Sequence, residues 1–170
     1  MSLNTASLPG GTTPRRRTRL FEYRIRPSFG RAGEPGGYSI SVYGKGEVIR
    51  REYLFGSDHP NSEATVAAMP ELAEAVQAII MRYSETLKTI PNTLDNGSCD
   101  GSQIVFVFGR KTICTWNPVR LDPSALRRND PEYYERYKDV VEQENIVLDV
   151  YEAIAREIKR FVPDIPMEFI

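Results

Sequence analysis

The segment from Gln103 to Trp116, QIVFVFGRKTICTW, constrains the fold most strongly, because it predicts a β-hairpin that is apolar on both faces. With Gly109-Arg110 as a two-residue loop, Phe106 lies opposite Ile113. The apolar side chains then form two sets, with Ile104, Phe106, Phe108 and Ile113 on one face and Val105, Val107, Cys114 and Trp116 on the other. A hairpin with one face in water would alternate apolar with polar residues. We therefore expect this hairpin in the middle of the molecule, covered on both sides.

Alternating polarity predicts three further strands. Apolar and charged residues alternate from Leu20 to Ile25, which is typical of a half-exposed strand near an edge of the sheet. A second hairpin is predicted from strands over Tyr38–Tyr43 and Glu47–Phe55, joined by the turn Gly44-Lys45-Gly46. The stretch Gly56–Met69 opens with Gly, Ser, Asp, His, Pro and Asn, a composition that predicts a loop.

Proline residues mark the beginnings and ends of the predicted helices. An apolar stripe at helical spacing begins after Pro70 and ends before Pro91. Asp122-Pro123 predicts the start of a short helix, since Asp caps a helix and Pro suits its first position. The same signal at Asp130-Pro131 begins a long helix that Pro163 ends.

The resulting order is strand, hairpin, helix, hairpin, helix. It predicts an α+β fold in which an antiparallel or mixed sheet of about five strands packs with two long helices. We expect residues 20–170 to form a single domain and residues 1–19 to form a flexible basic tail. The second apolar face of the central hairpin leaves two alternatives open. Either the helices straddle the sheet, or a partner chain covers one face.

Composition excludes several classes of function. The chain has 22 basic and 23 acidic residues, so no overall charge attracts nucleic acid or an anionic membrane. No apolar run is long enough for a membrane helix or the core of a secretory signal. Two isolated cysteines indicate reduced thiols, and hence a cytoplasmic protein, and a single histidine argues against a metal site. We expect no cofactor.

The most distinctive cluster of surface type lies at the start of the last helix, where Tyr133, Tyr134 and Arg136 occur together. Tyrosine and arginine are enriched where binding energy concentrates in protein interfaces. The loop from Asp95 to Asp100 is a second candidate patch. The sequence therefore predicts a small protein-binding module without a catalytic centre, of inhibitor or immunity type, whose partner is another protein or a second copy of itself.

Two alternatives come from other classes. The first is an enzyme of hydrolase type, with a cleft that gathers His59, Cys99, Asp100, Trp116 and Asn117. The carboxylate pairs Asp95/Asp100 and Glu142/Glu144 also suit acid–base chemistry, although we expect solvated charge at the second pair. The other alternative is weak binding of nucleic acid through Arg15, Arg16, Arg17 and Arg19, which the balanced overall charge disfavours.

Overall fold

A computed structural model describes residues 17–167, which form one sheet and three helices. The strands are β1 (Arg19–Pro27), β2 (Pro35–Tyr43), β3 (Glu47–Leu54), β4 (Pro60–Ala68), β5 (Ser102–Phe108) and β6 (Lys111–Trp116). The helices are α1 (Pro70–Thr89), α2 (Pro123–Asn129) and α3 (Pro131–Phe161). Within residues 17–167 no helix combines the length and the apolar character needed to cross a membrane.

The α+β class is confirmed, with one strand more than expected. Pro60–Ala68 forms β4 along the outer edge of β3, where the sequence predicted a loop. The prediction missed this strand because β4 is exposed at every position except Ala67, so it has no alternation of apolar and polar residues. Its pairing with β3 holds it in the sheet.

The strands follow the spatial order β4-β3-β2-β1-β5-β6, and all neighbours are antiparallel. The predicted register of the last hairpin is confirmed, since Phe106 pairs with Ile113 across the loop at Gly109-Arg110. Its predicted position is wrong, because β6 lies at an edge of the sheet and β1 occupies the interior. The segment at Asn92–Leu94 hydrogen-bonds along the outer side of β6 and partly closes that edge.

The hydrophobic core lies between one face of the sheet and the two long helices. Its buried members include Phe21 and Tyr23 of β1, Phe106 of β5, Leu72 of α1 and Tyr151 of α3. The Tyr151 ring lies 4.8 Å from the Tyr23 ring and 5.4 Å from the Phe106 ring, centroid to centroid. Because α1 and α3 share this core, the helices do not straddle the sheet. We call this side the helix-covered face.

The opposite side, the helix-free face, carries a second set of buried residues that lie outside that core. Alternation along the strands places the following buried side chains there: Glu22, Arg24, Ser39, Ser41, Tyr43, Ile49, Tyr53 and Val107. On the last hairpin Val107 is buried, whereas Val105, Cys114 and Trp116 are half-buried. The second apolar face of that hairpin is therefore covered less completely than the sequence predicted.

Candidate functional site

A network of polar contacts covers the middle of the helix-free face. The Ser41 hydroxyl donates to Glu22 Oε2 at 2.9 Å, and Arg19 Nη1 donates to the same oxygen at 2.8 Å. Arg51 Nη2 donates to the Tyr43 hydroxyl at 3.0 Å, and Arg51 Nε donates to Glu63 Oε2 at 2.7 Å. These long side chains lie across the strands and shield the short residues between them, which explains burial on a face that lacks a helix.

Arg24 is a buried charged residue on the same face of the sheet. Its guanidinium carbon lies 3.9 Å from the centroid of the Tyr53 ring, and Nη2 donates to Ser57 O at 3.3 Å. Burial, reinforced by the neighbouring Arg26 charge, lowers the pKa of Arg24, while Tyr53, Asp58 and Glu22 act in the opposite direction. Arginine stays protonated despite such shifts. The strand therefore presents a permanent positive charge that is only 8% exposed.

A recess of about 460 Å³ opens beside Arg24 at this end of the sheet. Arg26 lines it with a side chain that is 41% exposed, and the loop between β3 and β4 contributes Asp58. Gln103 and Trp116 line it from the last hairpin. Because Trp116 is the single tryptophan of the chain, its fluorescence reports directly on this recess.

Two glycines let β2 come close to its neighbours at the recess. Gly37 has φ +94°, and a Cβ there would lie 2.1 Å from Ile25 O of β1. Gly36 lines the recess, and a Cβ there would lie 2.3 Å from the backbone of Leu54. Larger residues would push β2 away from β1 and β3, so the pair fixes the shape of this end of the sheet.

The binding residues predicted from sequence lie in a different place, and the structure joins them into one patch. The Tyr133 hydroxyl donates to Asn96 O at 2.9 Å, which ties the start of α3 to the loop that contains Asp95 and Asp100. Arg136 is exposed, and its guanidinium lies 5.3 Å from the Tyr137 ring. The two patches predicted separately are thus contiguous. We call this surface, defined by Tyr133, Tyr134, Arg136, Asp95 and Asp100, the tyrosine patch.

Within the tyrosine patch the side chains differ in exposure. Tyr133 and Tyr134 are half-buried, whereas Arg136, Asp95 and Asp100 are exposed. Asp95 Oδ1 accepts from the backbone N–H of Gly97 at 3.0 Å, as expected for a turn in which an Asx side chain bonds the nearby backbone. The Asp95 side chain therefore stabilises the turn of its own loop.

The expectation of solvated charge is wrong for Glu144, which is only 2% exposed. Asn96 Nδ2 donates to Glu144 Oε1 at 2.9 Å, and the Thr115 hydroxyl donates to the same oxygen. Burial raises the pKa of Glu144, and these two hydrogen bonds partly oppose the shift. Glu144 and Tyr133 line a second cavity of about 260 Å³. Helical periodicity could have flagged Glu144, because it falls between the buried residues Val141 and Val147.

The residues of the predicted hydrolase cleft take up separate structural roles. Asn117 Oδ1 accepts from the N–H of Ser102 at 2.8 Å, and Asn117 Nδ2 donates to Asp100 O, so Asn117 fastens the 95–101 loop. The contact of the Cys99 thiol is local, with Gly97 O at 3.9 Å. The backbone of His59 hydrogen-bonds to Ser57 in the loop between β3 and β4. Trp116 and Asn117 are adjacent, but these contacts do not join Cys99 to His59.

No group of three or more His, Cys, Asp and Glu side chains in the described part of the chain is placed to hold a metal ion. The predicted basic tail extends over residues 1–19, of which 1–16, with Arg15 and Arg16, lie outside the described residues. Arg19 already belongs to β1. The recess and the tyrosine patch are the two candidate sites that we compare below.

The recess was not predicted from the sequence. The alternation along the first strand placed Arg24 and Arg26 on its solvent-exposed side, where charged residues are ordinary. Two patterns together could have indicated the recess: the charged side of β1 and the second apolar face of the last hairpin. They lie on the same face of the sheet, because β1 pairs directly with β5. Comparison with known proteins gives no match to a family model, a curated protein or a solved structure.

Proposed function

We propose that this chain is a protein-binding module whose partner docks on the helix-free face and anchors in the recess. The main support is the composition of the recess. Arg24 and Arg26 lie beside Trp116, the single tryptophan, on the face of the sheet that the two long helices do not cover. Tryptophan, tyrosine and arginine dominate the few positions that supply most of the energy of a protein interface.

The charge at the recess favours an acidic partner. Arg24 and Arg26 carry two positive charges, against one negative charge on Asp58. The Asp58 side chain is 78% exposed, so water screens its attraction to the arginines. The end of the sheet therefore keeps a net positive charge that would speed association with an acidic surface.

The two cysteines support a reducing location for this module. Cys99 and Cys114 are both free, and they lie in different parts of the fold. Free thiols suit the reducing cytoplasm better than an oxidising compartment. We therefore retain the cytoplasm as the proposed location.

A second candidate surface is the tyrosine patch. The hydrogen bond from the Tyr133 hydroxyl to Asn96 O favours it, because this bond makes one continuous surface of the start of α3 and the 95–101 loop. Acidic residues of α3 such as Glu132 and Glu135 accompany Arg136, so the charge of this patch is more balanced than that of the recess. A protein partner would again be the class of ligand.

Matched charge reversals, one at each surface, distinguish the recess from the tyrosine patch as the site of binding. We would isolate the protein captured by the wild-type chain in cells of its native host, purify it, and measure its binding to Arg26→Glu and to Arg136→Glu. The proposal predicts that Arg26→Glu abolishes binding and that Arg136→Glu binds like the wild type. The opposite result would transfer the function to the tyrosine patch.

A second copy of the chain is the alternative occupant of the helix-free face. Light scattering after size exclusion would give the mass of the purified wild-type chain and of Arg26→Glu. A dimer that Arg26→Glu converts to a monomer would identify the partner as the chain itself. A wild-type monomer leaves a different protein as the partner.

A further inference from the structure

Two guanidinium groups of β1 converge on one carboxylate oxygen. Asp58 Oδ1 lies 3.0 Å from Arg26 Nη2 and 3.6 Å from Arg24 Nη2. Arg24 and Arg26 stand two positions apart in the strand, so both side chains project from the same face. The two arginines already bind the carboxylate of Asp58, and the planar guanidinium matches the plane of a carboxylate.

Asp58 is a weakly held occupant of this position. It belongs to the loop between β3 and β4, and its side chain is 78% exposed. An ion pair so open to water is weak, because solvent competes for both charges. A carboxylate brought by another molecule can therefore displace Asp58 at little cost.

The arginines also have unused hydrogen-bonding capacity. A guanidinium has five N–H donors. In residues 17–167, the buried Nε of Arg24 and the buried Nε of Arg26 have no hydrogen-bond acceptor. Arg24 is only 8% exposed, and its hydrogen bond to Ser57 O is long at 3.3 Å. A carboxylate at the Nη2 atoms of the pair, where Asp58 lies, offsets part of the cost of burying the Arg24 charge and these unfilled donors.

The walls of the recess indicate what should adjoin the carboxylate. Phe55 and Trp116 line it from the end of β3 and from β6, and Gln103 adds an amide. Phe29, in the loop that follows β1, is 72% exposed, which adds an apolar side chain near this end of the sheet. An apolar or aromatic group beside the carboxylate would bury surface against these rings.

We propose that the recess is a carboxylate-binding site, in which a carboxylate of the partner, with an apolar side chain next to it, displaces Asp58 from Arg24 and Arg26. This inference rests on the proposed function, because it names the chemical group by which the partner anchors. Asp58 then acts as an internal competitor that keeps the arginine pair occupied until the partner arrives.

The fluorescence of Trp116 provides the test, because it is the only tryptophan and lines the recess. Three probes would be titrated into the full chain: N-acetylphenylalanine, acetyl-Asp-Phe-amide and its neutral analogue acetyl-Asn-Phe-amide. The first carries a terminal carboxylate and the second a side-chain carboxylate, so they separate the two sources of this group on a partner. The proposal predicts that at least one acid changes the fluorescence saturably and that the Asn analogue does not.

Two variants should change the affinity for the acids in opposite directions. Arg26→Ala removes a charged donor and should weaken binding about tenfold or more, with Arg26→Lys in between. Asp58→Asn removes the competitor and should strengthen binding by up to about fivefold. Glu85→Gln, at an exposed carboxylate of α1, is the matched control and should bind like the wild type.

Several results would overturn the inference. They are equal binding of the Asn analogue, no response to either acid, and weaker binding by Asp58→Asn. The proposed function fails separately, when Arg26→Glu still binds the purified partner. If the acids leave Trp116 unaffected and Arg26→Glu nevertheless loses the partner, the helix-free face docks the partner without a carboxylate anchor.

Discussion

The two faces of the sheet bury side chains by different means. On the helix-covered face, aromatic rings pack against α1 and α3, as Tyr151 does against Tyr23 and Phe106. On the helix-free face, buried residues lie under charged and hydroxyl side chains such as Arg51 and Tyr43. Low exposure alone therefore does not identify the hydrophobic core of this protein. One face stabilises the fold, and the other holds charged groups in fixed positions.

Matched tyrosines give the largest expected difference between the faces. Tyr151→Ala should lower the free energy of unfolding by about 3–5 kcal/mol, because it leaves a cavity in a close-packed core. Tyr53→Ala on the helix-free face should cost less than half of that, since its ring packs against the guanidinium of Arg24 and lies outside the hydrophobic core between the sheet and the helices. Unfolding in denaturant measures both values. Equal losses would show that the helix-free face is a second core.

Glu144 tests how the helix-covered face tolerates a buried charge. Glu144→Ala should cost about 1–3 kcal/mol, because Asn96 Nδ2 and the Thr115 hydroxyl lose their common acceptor. Glu144→Gln keeps an acceptor oxygen and removes the buried charge, so it should be at least as stable as the wild type at neutral pH. A loss in Glu144→Gln as large as in Glu144→Ala would mean that the negative charge itself is required.

The same residue predicts a dependence on pH. Burial raises the pKa of Glu144 in the folded state, so above the ordinary value of 4.5 the folded chain retains a proton that the unfolded chain releases. The contribution of Glu144 to stability therefore falls as pH rises from that value through the raised pKa. The advantage of Glu144→Gln over the wild type should grow across this range. A constant difference would contradict the assignment.

Arg24 is the corresponding buried charge on the helix-free face, and a smaller effect is expected there. Arg24→Met should change the free energy of unfolding by less than about 1 kcal/mol, because an apolar side chain of similar length replaces a buried charge whose ion pair with the exposed Asp58 is weak. Binding of carboxylate probes at Trp116 should nevertheless be lost. Denaturant unfolding and the fluorescence titration separate the two effects. A large loss of stability would show that Arg24 is structural.

The tyrosine patch should give the smallest effect. Arg136 is exposed and stands outside both buried regions, so Arg136→Ala should change stability by less than about 0.5 kcal/mol. Its binding of the purified partner should equal that of the wild type. Thermal melting and a binding titration measure both quantities. Loss of binding with unchanged stability would favour the tyrosine patch over the recess.

The sequence predicted most of the fold because local signals were strong. Prolines and caps placed the helix starts at Pro70, Asp122 and Asp130, and Gly109-Arg110 fixed the register of the last hairpin. Strand order could not be predicted, since it depends on which strands meet in space. The strand β4 was missed because its residues show no alternation of apolar and polar types, and its place in the sheet depends on pairing with β3.

The recess was missed for a different physical reason. Arg24 and Arg26 alternate with apolar residues as any solvated charges would, and only the approach of Asp58 and Trp116 makes them a site. Glu144 has the helical spacing of the buried residues Val141 and Val147, but its charge favoured a surface position, and only the contacts with Thr115 and Asn96 show how the carboxylate is held. The two parts of the tyrosine patch were proposed separately, because the residues of each part are close in sequence, whereas the contact that joins them depends on the fold.

The two cysteines allow one direct measurement of where the partner docks. Cys114 lies on the helix-free face opposite Val105, and Cys99 is exposed in the 95–101 loop of the tyrosine patch. Burial raises the pKa of the Cys114 thiol, so its alkylation should be the slower of the two in the free chain. The rates at both sites would be measured by mass spectrometry with and without the purified partner. We expect the partner to protect Cys114 and to leave the rate at Cys99 unchanged; protection of Cys99 alone would show that the partner does not dock on the helix-free face.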